Sequence, residues 1–179
     1  MSQPRPIPNS YWATPQLLAC EYPGAPTPAE AIPKIDALLA AGICHFYDLT
    51  EDRELVPYEA LLRERAAHAG LDPATIRYRR LPIRDLGLPS AARLTEILAE
   101  LAESEAAGQL AAVHCWGGIG RTGTVVGCHL VQQHGLSGPE ALAFIAHEWQ
   151  TVAKRARAPR SPETDAQIAF VRGYRPANN

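Results

Sequence analysis

Residues 110–130, LAAVHCWGGIGRTGTVVGCHL, constrain this chain more than any other segment. Residues 110–114 form an apolar run of strand length, and residues 120–134 read as a helix. Only five residues join Cys115 to Arg121, and three of them, Gly117, Gly118 and Gly120, are glycine. Glycine lets a backbone turn tightly and bring successive N–H groups inward. A buried strand that turns within a few residues into a helix belongs to an architecture in which strands and helices alternate.

The rest of the chain supplies that alternation. Residues 11–22 read as a short hairpin turning at Thr14-Pro15. A helix is predicted over 27–41, with Thr27 as cap, Pro28 at its first position, Glu30 closing a capping box and Gly42 ending it. Pro33 is an awkward fit inside it. Residues 43–49 have strand length, 57–69 read as a helix beginning at Pro57, and 76–83 as a strand. Leu94, Ile97, Leu98 and Leu101 repeat at helical spacing within 90–107. Two more helices are predicted over 120–134 and 137–153, the second opened by a Ser137–Glu140 capping box. Ser161-Pro162 is read as the start of a last one. The pattern predicts a single α/β domain over 11–176, with a central, mostly parallel (mixed) sheet and helices on both faces. Residues 1–10, MSQPRPIPNS, are read as a flexible lead.

Composition narrows the function classes. Of 179 residues, 46% are hydrophobic and 20% charged, with net charge −2, which argues against a dedicated nucleic-acid partner. No apolar run approaches the roughly 20 residues that span a bilayer, so no membrane partner is expected, and the Pro-rich start lacks a secretory core. A cytoplasmic location is the expectation. The four cysteines, Cys20, Cys44, Cys115 and Cys128, show no metal-binding spacing. His114, Cys115, Cys128 and His129 also lack it, so no metal and no cofactor are expected.

The 115–121 loop points to anion chemistry. Inward amides at a helix N-terminus make a concave nest that binds a dianionic phosphate, and Arg121 adds a planar clamp on two oxygens. Loop residues Trp116, Gly117, Gly118, Ile119 and Gly120 are the expected phosphate cradle. Such a field lowers a thiol pKa from about 8.5 to roughly 3.5–7.5, making Cys115 the expected nucleophile. Thr122 is placed to donate its hydroxyl to that sulfur.

His114-Cys115-x-x-Gly118-x-x-Arg121-Thr122 is an HCxxGxxRT signature, which resembles the protein tyrosine phosphatase superfamily. The short chain and the lack of a tyrosine-recognition segment fit its compact dual-specificity type. The resemblance implies a phosphatase-like fold and hydrolysis of phosphate monoesters, on a phosphorylated protein or a small ester, through a phosphocysteine. Asp85, in the loop LPIRDLGLPS and 30 residues before Cys115, resembles the family's general acid; Asp48 is the alternative, with Glu51, Asp52 and Glu54 beside it read as solvated. His114 is implied as a support of the loop. Gln167 is implied near the phosphate as an orienter of water, or else is a surface helix residue.

Several readings stay open. The run Lys154, Arg155, Arg157 and Arg160 either faces the active-site rim, where it can meet a second phosphate or an acidic peptide, or is a solvated helix end. Cys44 or Cys128 is a candidate to resolve an oxidised Cys115. An inositol phosphate or phosphoinositide substrate is the alternative within the class, although none of the five loop residues is lysine. A catalytically silent phosphate-binding module and a sulfurtransferase or arsenate reductase are the alternatives outside it. Sequence assigns neither the physiological substrate nor an oligomeric state.

Overall fold

The structure, a computed structural model, describes residues 3–176. Its elements run β1 (Ser10–Trp12), β2 (Leu17–Cys20), α1 (Pro28–Ala40), β3 (His45–Asp48), α2 (Glu59–His68), β4 (Arg77–Arg80), α3 (Ala91–Ala106), β5 (Ala111–His114), α4 (Gly120–His134), α5 (Gly138–Trp149) and α6 (Asp165–Gly173). Single 3-10 turns lie at Pro73–Thr75 and Ala153–Ala156. The five strands make one mixed sheet in the order β1-β2-β5-β3-β4. The β1–β2 hairpin is antiparallel, and every other pairing is parallel.

Side-chain alternation along the strands sorts the core into two layers. Leu18, Phe46 and Ala112 point to one face, where they meet Ile35 and Leu38 of α1 and Leu62 of α2. Leu17, Tyr47 and Val113 point to the other, where Ile97, Leu98, Val125, Val126 and Ile145 of α3, α4 and α5 cover them. Helix α4 is buried without a break from Gly120 to Val131, so its first turn is fixed from every side.

Three boundaries differ from the sequence reading. Helix α2 begins at Glu59 rather than Pro57, because Tyr58 is withdrawn into the core against Tyr22, Phe46, Tyr78 and His114. Helix α5 ends at Trp149, whose ring is buried on Tyr11 while its indole N–H holds the Ala158 carbonyl, and the chain then turns. Helix α6 begins at Asp165, capped by Thr164 in a capping box with Gln167, while Ser161 instead donates its hydroxyl to Ile119 O at 2.7 Å. Helix α1 runs through Pro33.

The end of the lead is held against the domain. Ile7 is buried, Ser10 Oγ donates to Ile7 O, and Pro8 O and Asn9 Oδ1 accept from the amides of Ala153 and Lys154.

Register aligns the carboxyl ends of the parallel strands: Cys20 pairs with His114, His114 with Asp48, and Asp48 with Arg80. Cys115 therefore leaves the sheet from its middle strand, at the edge where open α/β sheets gather ligands. Beyond β4 the chain stays extended, with Leu81 N donating to Asp48 O and Ile83 N to Leu49 O. That extension delivers Asp85 to the same edge.

Candidate active site

The loop from Cys115 to Arg121 closes over the start of α4. Gly118 has φ +72°, a left-handed conformation, and a Cβ there would fall 2.5 Å from Cys20 O. No other residue fits that position without moving β2. Tyr22 N donates to Trp116 O at 3.0 Å and pins the loop's first turn. Among the described residues, no backbone N–H of residues 116–121 donates to a main-chain carbonyl. These donors, at the positive end of a helix, belong to residues that line one cavity with a thiol only 3% exposed.

Arg121 is 2% exposed, and its guanidinium is held on three sides. Nη1 and Nη2 donate to the two carboxylate oxygens of Glu54 at 2.8 and 2.7 Å. Nη1 also donates to Ile83 O at 3.2 Å, and Nη2 lies 3.0 Å from Asp85 Oδ1. Burial disfavours the charge, but Glu54, Cys115 and Asp85 more than restore it, and the guanidinium pKa rises. Its Nε is buried with no hydrogen-bond partner, and so is the Thr122 hydroxyl. The hydroxyl expected on the sulfur thus makes no hydrogen bond in this structure.

Glu54 is the residue that sequence reasoning missed. Its sequence neighbours Glu51 and Asp52 make it look solvated, yet it faces Arg121 from 67 positions away. The Arg121 contact holds its carboxyl below the usual carboxylate range, against a burial effect of opposite sign. The signal available in the sequence was Arg121 itself, since a buried arginine is nearly always paired.

Asp85 is half-exposed in a tight turn, with Gly87 N donating to Arg84 O and Leu86 at φ +57°. It lines a cavity of about 610 Å³ together with Cys115, Gly117, Gly120 and Arg121. Trp116, Ile119 and Leu86 give this cavity an apolar rim, and Trp116 is 61% exposed. Asp48, the alternative acid, is fully buried away from the cavity. Its carboxylate accepts from Thr50 N and Oγ1, from Tyr78 O–H at 2.6 Å and from Arg80, an anchor for the strand end.

His114 is buried, with Nε2 2.6 Å from the Tyr58 hydroxyl and Nδ1 3.9 Å from Asp48 Oδ1. Burial lowers its pKa and the Asp48 charge opposes that. Gln167 is fully buried rather than on the surface. Its carbonyl accepts from the amides of Glu163 and Thr164, and its Nε2 donates to Gly87 O at 3.1 Å. Its amide backs Gly120, where a Cβ would meet it at 2.8 Å. Gln167 therefore joins the Asp85 turn to the cysteine loop.

Neither candidate resolving thiol adjoins Cys115. The Cys44 amide bonds to Leu110 O, five strand residues before Cys115, a separation of about 16 Å. Cys128 lies eight residues into α4, about 12 Å along its axis, and burial pushes its thiol up to about 12. A disulfide needs Cα atoms about 4.4–6.8 Å apart.

Among the described residues, Glu105, His129 and His134 place one ligand atom each within 4.8 Å of one another, remote from the cysteine loop near the far end of α4. His129 Nδ1 is buried without the acceptor that a metal-bound imidazole ordinarily has. The trio is accordingly a hydrogen-bonded cluster, in which His129 Nε2 lies 2.9 Å from Glu105 Oε2. No helix of the described residues is long and apolar enough to cross a membrane.

Comparison with known proteins agrees with this geometry. Residues 9–171 match the sequence family PTP-SAK, described as "Swiss Army Knife protein, DSP-PTPase phosphatase domain". Mouse protein tyrosine phosphatase domain-containing protein 1 is 25% identical over 169 residues, covering 92% of this chain and 21% of that protein. The chain thus spans about a fifth of that relative's length. The active form of Tk-PTP superposes with TM-score 0.68 at 26% identity, covering 92% of this chain and 94% of the other. PTPMT1 in complex with PI(5)P superposes with TM-score 0.66 at 18% identity, covering 91% and 92%, and at that identity shows the fold alone.

Proposed function

The chain belongs to the PTP-SAK family of DSP-PTPase phosphatase domains, and from that premise we propose that it hydrolyses phosphotyrosine, with or without phosphoserine and phosphothreonine, through a phosphocysteine on Cys115. One observation carries the reading. The Arg121 Nε, buried without a partner, the unbonded amides of residues 116–121 and the nearly buried Cys115 thiol belong to one loop at the N-terminus of α4, and its residues line a single cavity. A protein does not ordinarily bury a guanidinium nitrogen without an acceptor. A tetrahedral dianion supplies several acceptors at once.

Substrate phosphate settles on those amides and on Arg121, held in orientation by Glu54. The Cys115 thiolate attacks phosphorus in line, so an S–P bond forms as the ester P–O bond breaks. Asp85 gives its proton to the departing oxygen. Water then attacks the phosphocysteine and its proton passes to the Asp85 carboxylate. The S–P bond breaks, inorganic phosphate leaves, and the thiolate and the protonated acid are restored. The apolar rim of Trp116, Ile119 and Leu86 suits a phenyl ring lying across the cavity mouth.

The test is p-nitrophenyl phosphate turnover by wild type and Cys115→Ser, followed by a panel of phosphopeptides and inositol phosphates ranked by kcat/KM. Cys115→Ser loses turnover and keeps affinity for phosphate if the proposal holds. A Cys115→Ser variant that still turns over substrate refutes the mechanism, and a ranking led by inositol phosphates refutes the substrate class.

A further inference from the structure

Water that attacks a phosphocysteine carries two hydrogens, and only one of them leaves as a proton. The other needs an acceptor as well if the water is to be held in line. Apart from the sulfur, the side chains lining the 610 Å³ cavity that can accept a hydrogen bond are Asp85 and Glu163. Lys154 and Arg157 also line it, as donors only. Gln167, expected to orient water, is committed elsewhere and does not line the cavity: its carbonyl takes the Glu163 and Thr164 amides, and its Nε2 donates to Gly87 O. Glu163 is different. Its main chain is clasped, the amide donating to Gln167 Oε1 at 3.2 Å and the carbonyl accepting from Arg160 Nε at 3.0 Å. Two residues earlier, the Ser161 hydroxyl donates to Ile119 O at 2.7 Å and ties the segment to the cysteine loop. The Glu163 carboxylate, among the described residues, makes no hydrogen bond and no ion pair, although the nearby Arg160 is paired with Asp165 at 2.8 Å. Its Oε2 lies 3.1 Å from the place a Cβ on Gly120 would occupy.

A carboxylate beside a cradle for a dianion opposes phosphate binding by Coulomb repulsion, so binding alone does not account for its place. Resting on the phosphatase reading above, we propose that Glu163 is a catalytic residue of the second step, accepting one hydrogen of the attacking water while Asp85 takes the other. In that step the water oxygen bonds to phosphorus, the S–P bond breaks, and its electron pair returns to Cys115. The proton passed to Asp85 leaves the oxygen. The hydrogen held by Glu163 stays on it and departs with inorganic phosphate. An alcohol has a single O–H, which Asp85 must take, and nothing is left for Glu163. The same carboxylate therefore favours water over alcohols as acceptor of the phosphoryl group.

The experiment is rapid-quench kinetics with p-nitrophenyl phosphate, with and without glycerol, on wild type, Glu163→Ala and Glu163→Gln. Glu163→Ala is expected to slow decay of the phosphocysteine in water about tenfold, the scale of one hydrogen bond to a charged group. Its formation is expected to change by less than about threefold, so the intermediate accumulates and kcat and KM fall together. The yield of glycerol phosphate relative to inorganic phosphate is expected to rise about tenfold. Glu163→Gln keeps an acceptor, and both its decay rate and its product ratio are expected between wild type and alanine. Thermal unfolding of both variants is expected to match wild type, because the carboxylate has no partner to lose. Unchanged decay and product ratio in Glu163→Ala, or formation and decay slowed equally, overturn the proposal and leave the phosphatase reading standing. A glutamine variant no better than alanine in decay and product ratio also overturns it. If wild type hydrolyses no ester and forms no phosphocysteine, the phosphatase reading fails and the proposal falls with it.

Discussion

Truncation of Glu54 is the perturbation on which this site's geometry can be judged most sharply. Glu54 takes both terminal nitrogens of Arg121, at 2.8 and 2.7 Å, and the guanidinium it holds is 2% exposed. Removing one partner of a buried pair costs about 3–5 kcal/mol. In Glu54→Ala, the Ile83 carbonyl and Asp85 still touch the guanidinium, so the lower end applies, about 3 kcal/mol. If that loss falls on the orientation of Arg121 in the transition state, kcat/KM drops about 10²-fold, at 1.36 kcal/mol per decade. Glu54→Gln keeps the shape and one acceptor, and its loss is expected near tenfold, one charge-assisted bond. The assay is p-nitrophenyl phosphate turnover with inhibition by vanadate, alongside thermal unfolding. Both variants bind vanadate more weakly, and the alanine variant melts several degrees lower. An alanine variant within threefold of wild type in kcat/KM, with unchanged melting, refutes the reasoning.

Three further expectations rest on independent observations. Gly118→Ala forces a left-handed alanine, about 1–2 kcal/mol, and drives its Cβ onto the Cys20 carbonyl; urea unfolding should show a loss of about 2 kcal/mol or more with turnover nearly abolished, and an alanine variant of normal activity contradicts the loop geometry. Asp85→Asn should slow aryl phosphate hydrolysis by roughly 10²–10⁴-fold, and a loss below threefold points to another proton donor. Stability should fall on acidification. Burial keeps the His114 pKa below its ordinary 6.5, so the unfolded chain takes a proton there that the folded chain refuses, and stability drops as pH falls through that value. Burial pushes the Glu105 carboxyl up, but hydrogen bonds from His129 and Thr14 more than reverse it to about 2, so its contribution, complete above its ordinary 4.5, disappears as pH falls toward 2. Urea midpoints that do not move between about pH 7.5 and about pH 5.5 contradict the His114 assignment.

The fold was legible because each element carried its own local signal. Apolar stripes at helical spacing marked α1, α3 and α5, capping boxes marked where α1 and α5 begin, and the glycines of the 115–121 loop marked the turn from β5 into α4. The Asp85 loop could be found because it lies in a short segment between two readable elements. What was lost depends on contacts that sequence spacing does not encode. Tyr58 shortens α2 because its ring meets four other rings only in three dimensions, His114 among them. The start of α6 was misplaced because Ser161-Pro162 outweighed the Thr164–Gln167 capping box three residues later, although that box was equally visible. Glu54 looks like one of several solvated acids until the buried charge of Arg121 requires a counter-ion. Gln167 looks like a surface residue until α6 docks it between the Asp85 turn and Gly120.

Acid-quenched single turnover with a labelled phosphotyrosine peptide, followed by peptide mapping of the protein, asks where the phosphoryl group rests between the two steps. Label on Cys115 alone, absent from Cys115→Ser, is the predicted result. Label on His114 or on any other residue, or steady hydrolysis by the serine variant, would contradict the account.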